Sequence, residues 1–152
     1  FEKAVTLAHG QGLNICVHVI LGLPGETREM MMETARYVAS LPVNGIKIHL
    51  LYVVRGTTLA GMYASGGFYC LEPEVYAELV VDFLERIPRG VVVQRMTGDP
   101  PARELLAPAW ALDKSRNLAR IRGLFEQRRT WQGRLYEDTR SAMIAGRPPD
   151  SV

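Results

Sequence analysis

Two nearly unbroken apolar runs, Ile15-Cys16-Val17-His18-Val19-Ile20-Leu21 and Ile46-Lys47-Ile48-His49-Leu50-Leu51-Tyr52, flank a segment whose apolar residues Met31, Ala35 and Val38 recur at helical spacing. Strands that read as continuous apolar runs belong to parallel sheets covered by helices, so the pattern predicts a β-α-β order. Thr27 is placed as an N-cap, and Pro42 with Asn44-Gly45 ends the helix and opens the next strand. Along the chain the same logic predicts helices over 1–9, 28–40, 73–87 and 114–129 and strands over 14–21, 45–53 and 91–95. Pro73 starts the third helix, Tyr76, Val80, Phe83, Leu84 and Ile87 form its buried stripe, and Pro88 stops it. After Arg95 the turn-rich Thr97-Gly98-Asp99-Pro100-Pro101 loosens the order, and Arg147-Pro148-Pro149 reads as a disordered end.

Side chains two apart on a strand share a face. Cys16, His18 and Ile20 therefore lie together, as do Lys47, His49 and Leu51, while Ile15, Val17, Val19, Leu21, Ile46, Ile48, Leu50 and Tyr52 form the opposite, almost wholly apolar faces that suit covering helices. A lysine and two histidines are costly to bury unpaired, so their side is expected to be the interior of a barrel that holds a polar ligand. A strand histidine also serves as a satisfied core residue, and Lys47 could pair with a carboxylate or act as a Schiff-base nucleophile.

Composition sets the frame. The chain has 152 residues, 47% of them hydrophobic, enough for one globular core, and contains no apolar stretch of the ~20 residues that a membrane span needs. A cytoplasmic protein is expected. Phe1 to Gly10 reads as the last turns of a helix, so the chain is expected to begin inside a domain. Cys16 and Cys70 are too few for a disulfide framework or a cysteine metal site, and read as free core thiols.

The net charge of +2 is unevenly placed: residues 1–112 carry 9 basic and 11 acidic side chains, residues 113–152 carry 9 and 5. Lys114, Arg116, Arg120, Arg122, Arg128 and Arg129, with Trp131 and Tyr136 nearby, have the composition of an RNA-facing surface. They also fit the solvated side of a helix that buries Leu118, Ile121, Leu124 and Phe125.

Between strand and helix, Gly22-Leu23-Pro24-Gly25-Glu26-Thr27 marks the carboxyl edge of the sheet, where α/β folds bind ligands. Its free amides could cradle a phosphate, yet neither the Walker spacing nor the dinucleotide fingerprint is present.

This turn, the following Gly45-Ile46-Lys47-Ile48-His49-Leu50-Leu51-Tyr52, Gly56-Thr57, Gln94-Arg95-Met96-Thr97-Gly98-Asp99-Pro100, Leu106-Ala107-Pro108-Ala109-Trp110 and Trp131-Gln132-Gly133 together resemble the C-terminal half of the radical S-adenosylmethionine (radical SAM) barrel, nearest the YhcC-like and Elongator-type branch. The resemblance implies an α/β fold: residues 1–95 as the C-terminal part of a partial (β/α)6 TIM-like barrel with parallel strands, 96–140 as a helical extension, and 141–152 as a disordered tail. It implies S-adenosylmethionine and a [4Fe-4S] cluster as cofactors, the cluster held by a Cys-x-x-x-Cys-x-x-Cys loop that this chain lacks and that belongs to an earlier strand. The family's Gly-x-Ile-x-Gly-x-x-Glu motif falls on His18, Ile20, Gly22 and Gly25, matching at Ile20 and Gly22. Ile20 would pack on adenine, Gly22 would admit the cofactor to the backbone, and Gly25 lies at the same edge. His18, Lys47, His49, Arg95 and Asp99 are expected on the substrate side, with Arg95 and Asp99 also able to pair with each other. The competing reading is a non-catalytic α/β docking module whose basic C-terminal helix meets RNA or a protein.

Overall fold

In the computed structural model, which describes residues 1–136, the two apolar runs become adjacent strands of a three-stranded parallel sheet. Helix α1 (Glu2–Gly10) leads to β1 (Cys16–Leu21), α2 (Arg28–Ser40) and β2 (Gly45–Leu50), and α4 (Pro73–Glu85) precedes β4 (Val92–Arg95). The sheet order is β1-β2-β4, so β1 and β4 are its outer strands. Thr27 caps α2, its Oγ1 accepting the Met30 N–H at 3.3 Å, and Pro73 stands at the start of α4.

Alternation places the side chains as the sequence implies. Val17, Leu21, Ile46, Ile48 and Leu50 are buried together with Met31, Ala35 and Val38 of α2 and Tyr76, Val80, Phe83 and Leu84 of α4. The opposite face of the sheet leaves His18 and Ile20 exposed and Lys47 and His49 half-buried.

The run expected as one strand over 45–53 divides after Leu50. Leu51 and Tyr52 leave the sheet, and β3 (Val53–Val54) pairs antiparallel with β5 (Leu105–Ala107). A second small core accounts for the break: Leu51, Val53, Phe68 and Ala107 bury one another, with Leu59, Ala60 and Cys70 against them. Between β3 and α4 lies α3 (Thr58–Ala64), which the apolar spacing does not reveal because none of its residues is fully buried; Thr57 caps it by accepting the Ala60 N–H at 3.2 Å. The stretch after residue 95, expected as helical, thus begins with a strand and a short 3-10 turn, Ala109–Leu112, before α5 (Lys114–Gln127). Cys16 and Cys70 are free thiols, both half-buried. No helix among the described residues is long and apolar enough to cross a membrane. The tail expected over 141–152 lies outside the described residues.

The basic C-terminal helix packs on α4 mainly through Ile121 and Asn117, with Leu118, Leu124 and Phe125 partly covered. Two of its arginines are engaged inside the fold. Arg120 meets Glu74 at 2.9 Å, and Arg128 meets the buried Asp82 at 2.7 Å, where Arg28 of α2 also pairs. Asp82 therefore ties α2 and α5 to the middle of α4. Arg89 and Arg134 each lie 5.6 Å from the Trp131 ring, so that aromatic is already stacked with cations. Lys114, Arg116, Arg122 and Arg129 remain on the solvated side.

Removing one partner of a buried ion pair strands the others, although Arg28 is half open to water and its share is screened. Asp82→Asn is expected to lower unfolding free energy by about 2 kcal/mol, while Arg116→Gln leaves it unchanged. Urea denaturation of both variants checks this.

Candidate functional site

The three parallel strands end on one edge, and the loops that follow them, 22–27, 51–52 and 96–99, gather there. The first loop is a locked turn. Gly22 has φ +85°, and a Cβ on it would stand 2.7 Å from Leu71 Cδ1, so both backbone and neighbour require glycine. Gly25 has φ +78° but faces open space. The Glu26 carboxylate accepts the N–H of Gly22 at 3.0 Å and of Leu23 at 3.1 Å. Those amides are the ones a phosphate would have used, so the phosphate reading of the turn gives way to an internal carboxylate. The family's glutamate is absent at position 25, and a glutamate stands one residue later, at Glu26. Glu26 is the residue that reading by motif register passes over; its signal is the four-residue spacing from Gly22, the reach needed to close a turn.

The loop after β4 is held in two ways. Tyr76 donates its hydroxyl to the Met96 carbonyl at 3.0 Å, and burial pushes that phenol far above its usual range. Gly98 lies against the Tyr52 ring, where a Cβ would come within 3.2 Å. The loops after β2 and β4 therefore pack on each other. Arg95 and Asp99 make a long ion pair at 3.9 Å, with Asp99 largely exposed.

On the open face the register aligns His18 with Lys47, Ile20 with His49, and Lys47 with Arg95. The His18 and His49 rings stack with centroids 5.2 Å apart and planes 23° apart. Beside them is a hollow of about 310 Å³ lined by His18, Ile20, His49, Leu50, Leu51 and Tyr52. Ile20, near the carboxyl end of the outer strand β1, is 45% exposed there. His49 Nε2 is enclosed without a hydrogen-bond partner. Burial first, then the charges of Arg95, His18 and Lys47, hold the His49 pKa below its usual 6.5. Of the residues expected to act, Ile20, His18, His49 and Lys47 share this face with Arg95 close by. Gly22 and Gly25 belong to the adjoining turn.

The fold and its ligand edge define an α/β protein with parallel strands and a helical C-terminus. Residues 43–127 match the Radical_SAM C-terminal domain, and the chain belongs to that family. It is similar to the uncharacterized protein YtqA of Bacillus subtilis, with 40% identity over 90% of this chain and 42% of that protein. It is also similar to YhcC of Escherichia coli, with 32% identity over 72% of this chain and 36% of that protein. The chain thus spans about two fifths of these relatives. Archaeal Elp3 of Methanocaldococcus infernus, solved with its N-terminus deleted, shares the fold with a TM-score of 0.75 over 86% of this chain and 30% of that one, at 23% identity.

Because His49 takes up its proton at lower pH in the folded than in the unfolded chain, its contribution to stability is lost as pH falls through 6.5 toward the folded value. Imidazole NMR titration is expected to place the His49 midpoint below 6.5, and Arg95→Gln to move it up. A midpoint at or above 6.5 contradicts the burial described.

Proposed function

We propose that this chain is the C-terminal portion of a radical SAM enzyme, supplying adenine-side contacts and part of the substrate wall. The observation that carries the reading is Ile20, an apolar side chain left open at the carboxyl edge of a parallel sheet, in a hollow that it lines with Leu50, Leu51, Tyr52 and the rings of His18 and His49. That lining fits a flat apolar ring such as adenine. When bound, S-adenosylmethionine would supply a 5′-deoxyadenosyl radical, released with methionine on one-electron reduction by the [4Fe-4S] cluster. Ile20 packs on its adenine. Gly22 offers the ring bare backbone at the strand end, with Leu71 filling the side where a Cβ would stand, and Gly25, with φ +78° and nothing beside it, keeps the outer side of the turn clear. Glu26 holds this edge in shape through the two amides that it accepts. His18, Lys47, His49, Arg95 and Asp99 face the substrate.

The [4Fe-4S] cluster finds no holder here. Among the described residues no three His, Cys, Asp or Glu side chains come together to bind a metal, so no residue of this chain is assigned to it. Its Cys-x-x-x-Cys-x-x-Cys loop is proposed for a segment outside this chain, in keeping with the two fifths of YtqA that the chain spans.

Two measurements test this. In the full polypeptide, Ile20→Ala is expected to weaken S-adenosylmethionine binding by about tenfold, the worth of roughly two buried methylenes, without lowering the melting temperature, since Ile20 is 45% exposed. Calorimetric titration with matched thermal melts reads it; unchanged affinity in a folded variant places the adenine elsewhere. Separately, anaerobic reconstitution of the 152-residue chain by itself is expected to yield no stoichiometric iron and sulfide. A stoichiometric cluster on this chain overturns the division of labour.

A further inference from the structure

Three strands set a basic side chain at one level of the open face: His18 on β1 pairs with Lys47 on β2, and Lys47 with Arg95 on β4. His49 stands two residues further along β2, stacked on His18. Regular pairing would have put Gln94 opposite Lys47, because Ile46 faces Val93; the register shift between Ile46 and Lys47 brings Arg95 there instead. Bulges re-aim side chains in this way beside functional sites. Gathering like charges is costly, and the fold supplies little to offset it. Asp99 reaches Arg95 only at 3.9 Å from an exposed position, and among the described residues no carboxylate forms an ion pair with His18, Lys47 or His49. The enclosed Nε2 of His49 adds an unmet hydrogen-bonding group to the same cluster.

We propose that Lys47, Arg95, His18 and His49 form a receptor for an anionic group, a phosphate or a carboxylate, carried by the substrate. The proposal rests on reading this face as the ligand side. The Lys47 ammonium and the Arg95 guanidinium donate charge-assisted hydrogen bonds to the anion's oxygens. The anion supplies the negative charge that the row lacks, and the Arg95 fork suits either oxyanion. Leu50 and Leu51 at the neighbouring hollow lower the local dielectric and strengthen the attraction. His18 and His49 border both the receptor and the hollow, and Ile20, Leu50, Leu51 and Tyr52 are left for the cofactor's ring.

The test follows the ring nitrogens of His18 and His49 by NMR in the ¹⁵N-labelled full polypeptide. Inorganic phosphate and acetate are added in separate titrations, with sodium chloride at matched ionic strength as control. The charged groups facing His49 are His18, Lys47 and Arg95, with Asp99 beyond Arg95. An anion seated among them offsets their repulsion, so phosphate or acetate is expected to raise the His49 midpoint while chloride does not. The stronger responder identifies the class of anion. Lys47→Met and Arg95→Gln are each expected to weaken that binding by about tenfold, the worth of one charge-assisted hydrogen bond. A response equal to that of chloride, or variants that bind as the parent does, overturns the proposal. Displacement of phosphate by S-adenosylmethionine also overturns it, because the anion site then belongs to the cofactor. If Ile20→Ala leaves S-adenosylmethionine affinity intact while phosphate still shifts His49, the adenine assignment fails and the receptor stands.

Discussion

The arrangement depends on one asymmetry: a single face of the β1-β2-β4 sheet is sealed by helices. Ile46 and Ile48 are wholly buried against α2 and α4, with Leu50 beside them. With a side-chain period of two, that sealing fixes the other set of residues by elimination, because a one-residue slip would drive Lys47 and His49 into the apolar layer. Hydrophobic burial on one side therefore positions the polar chemistry on the other. Asp82 strengthens the sealed side by holding Arg28 of α2 and Arg128 from the end of α5 to α4.

Much of this was legible in the chain because its signals are long or repeated. The run at 15–21, the stripe of α4 and the cap at Thr27 appear in the structure, and the run at 46–52 appears as far as Leu50. Elements held by few residues stayed hidden. Leu105–Ala107 spans three residues and becomes a strand only because Val53 and Val54 pair with it, and α3 lacks an apolar stripe since no side chain in it is fully buried. The break at Leu50 belongs to the same group, being dictated by a second core assembled from residues as distant as Phe68 and Ala107.

At the site, alternation alone brings His18, Ile20, Lys47 and His49 to one face, whereas the closure of the turn depends on its three-dimensional path. Glu26 closes it through two backbone amides, and it stands one residue after the position at which the family's motif carries its glutamate. The stacking of His18 on His49 and the approach of Arg95 follow from register, and register is not written in any single strand. The register shift beside Lys47 is a property of two strands together. In the basic tail, composition does not tell paired from unpaired cations: Arg120 meets the exposed Glu74 and Arg128 the buried Asp82, while Lys114, Arg116, Arg122 and Arg129 stay on the solvated side.

Gly98 lying against Tyr52, with Met96 tethered by Tyr76, has a consequence for how a ligand would be met. The loops after β2 and β4 are braced against each other, and the loop after β1 is braced by its own glutamate, so the rim of the hollow has little conformational freedom left to surrender. Association at such a rim incurs a small ordering entropy. A ligand that met this rim would be selected by its fit to a fixed shape more than by movement of the loops.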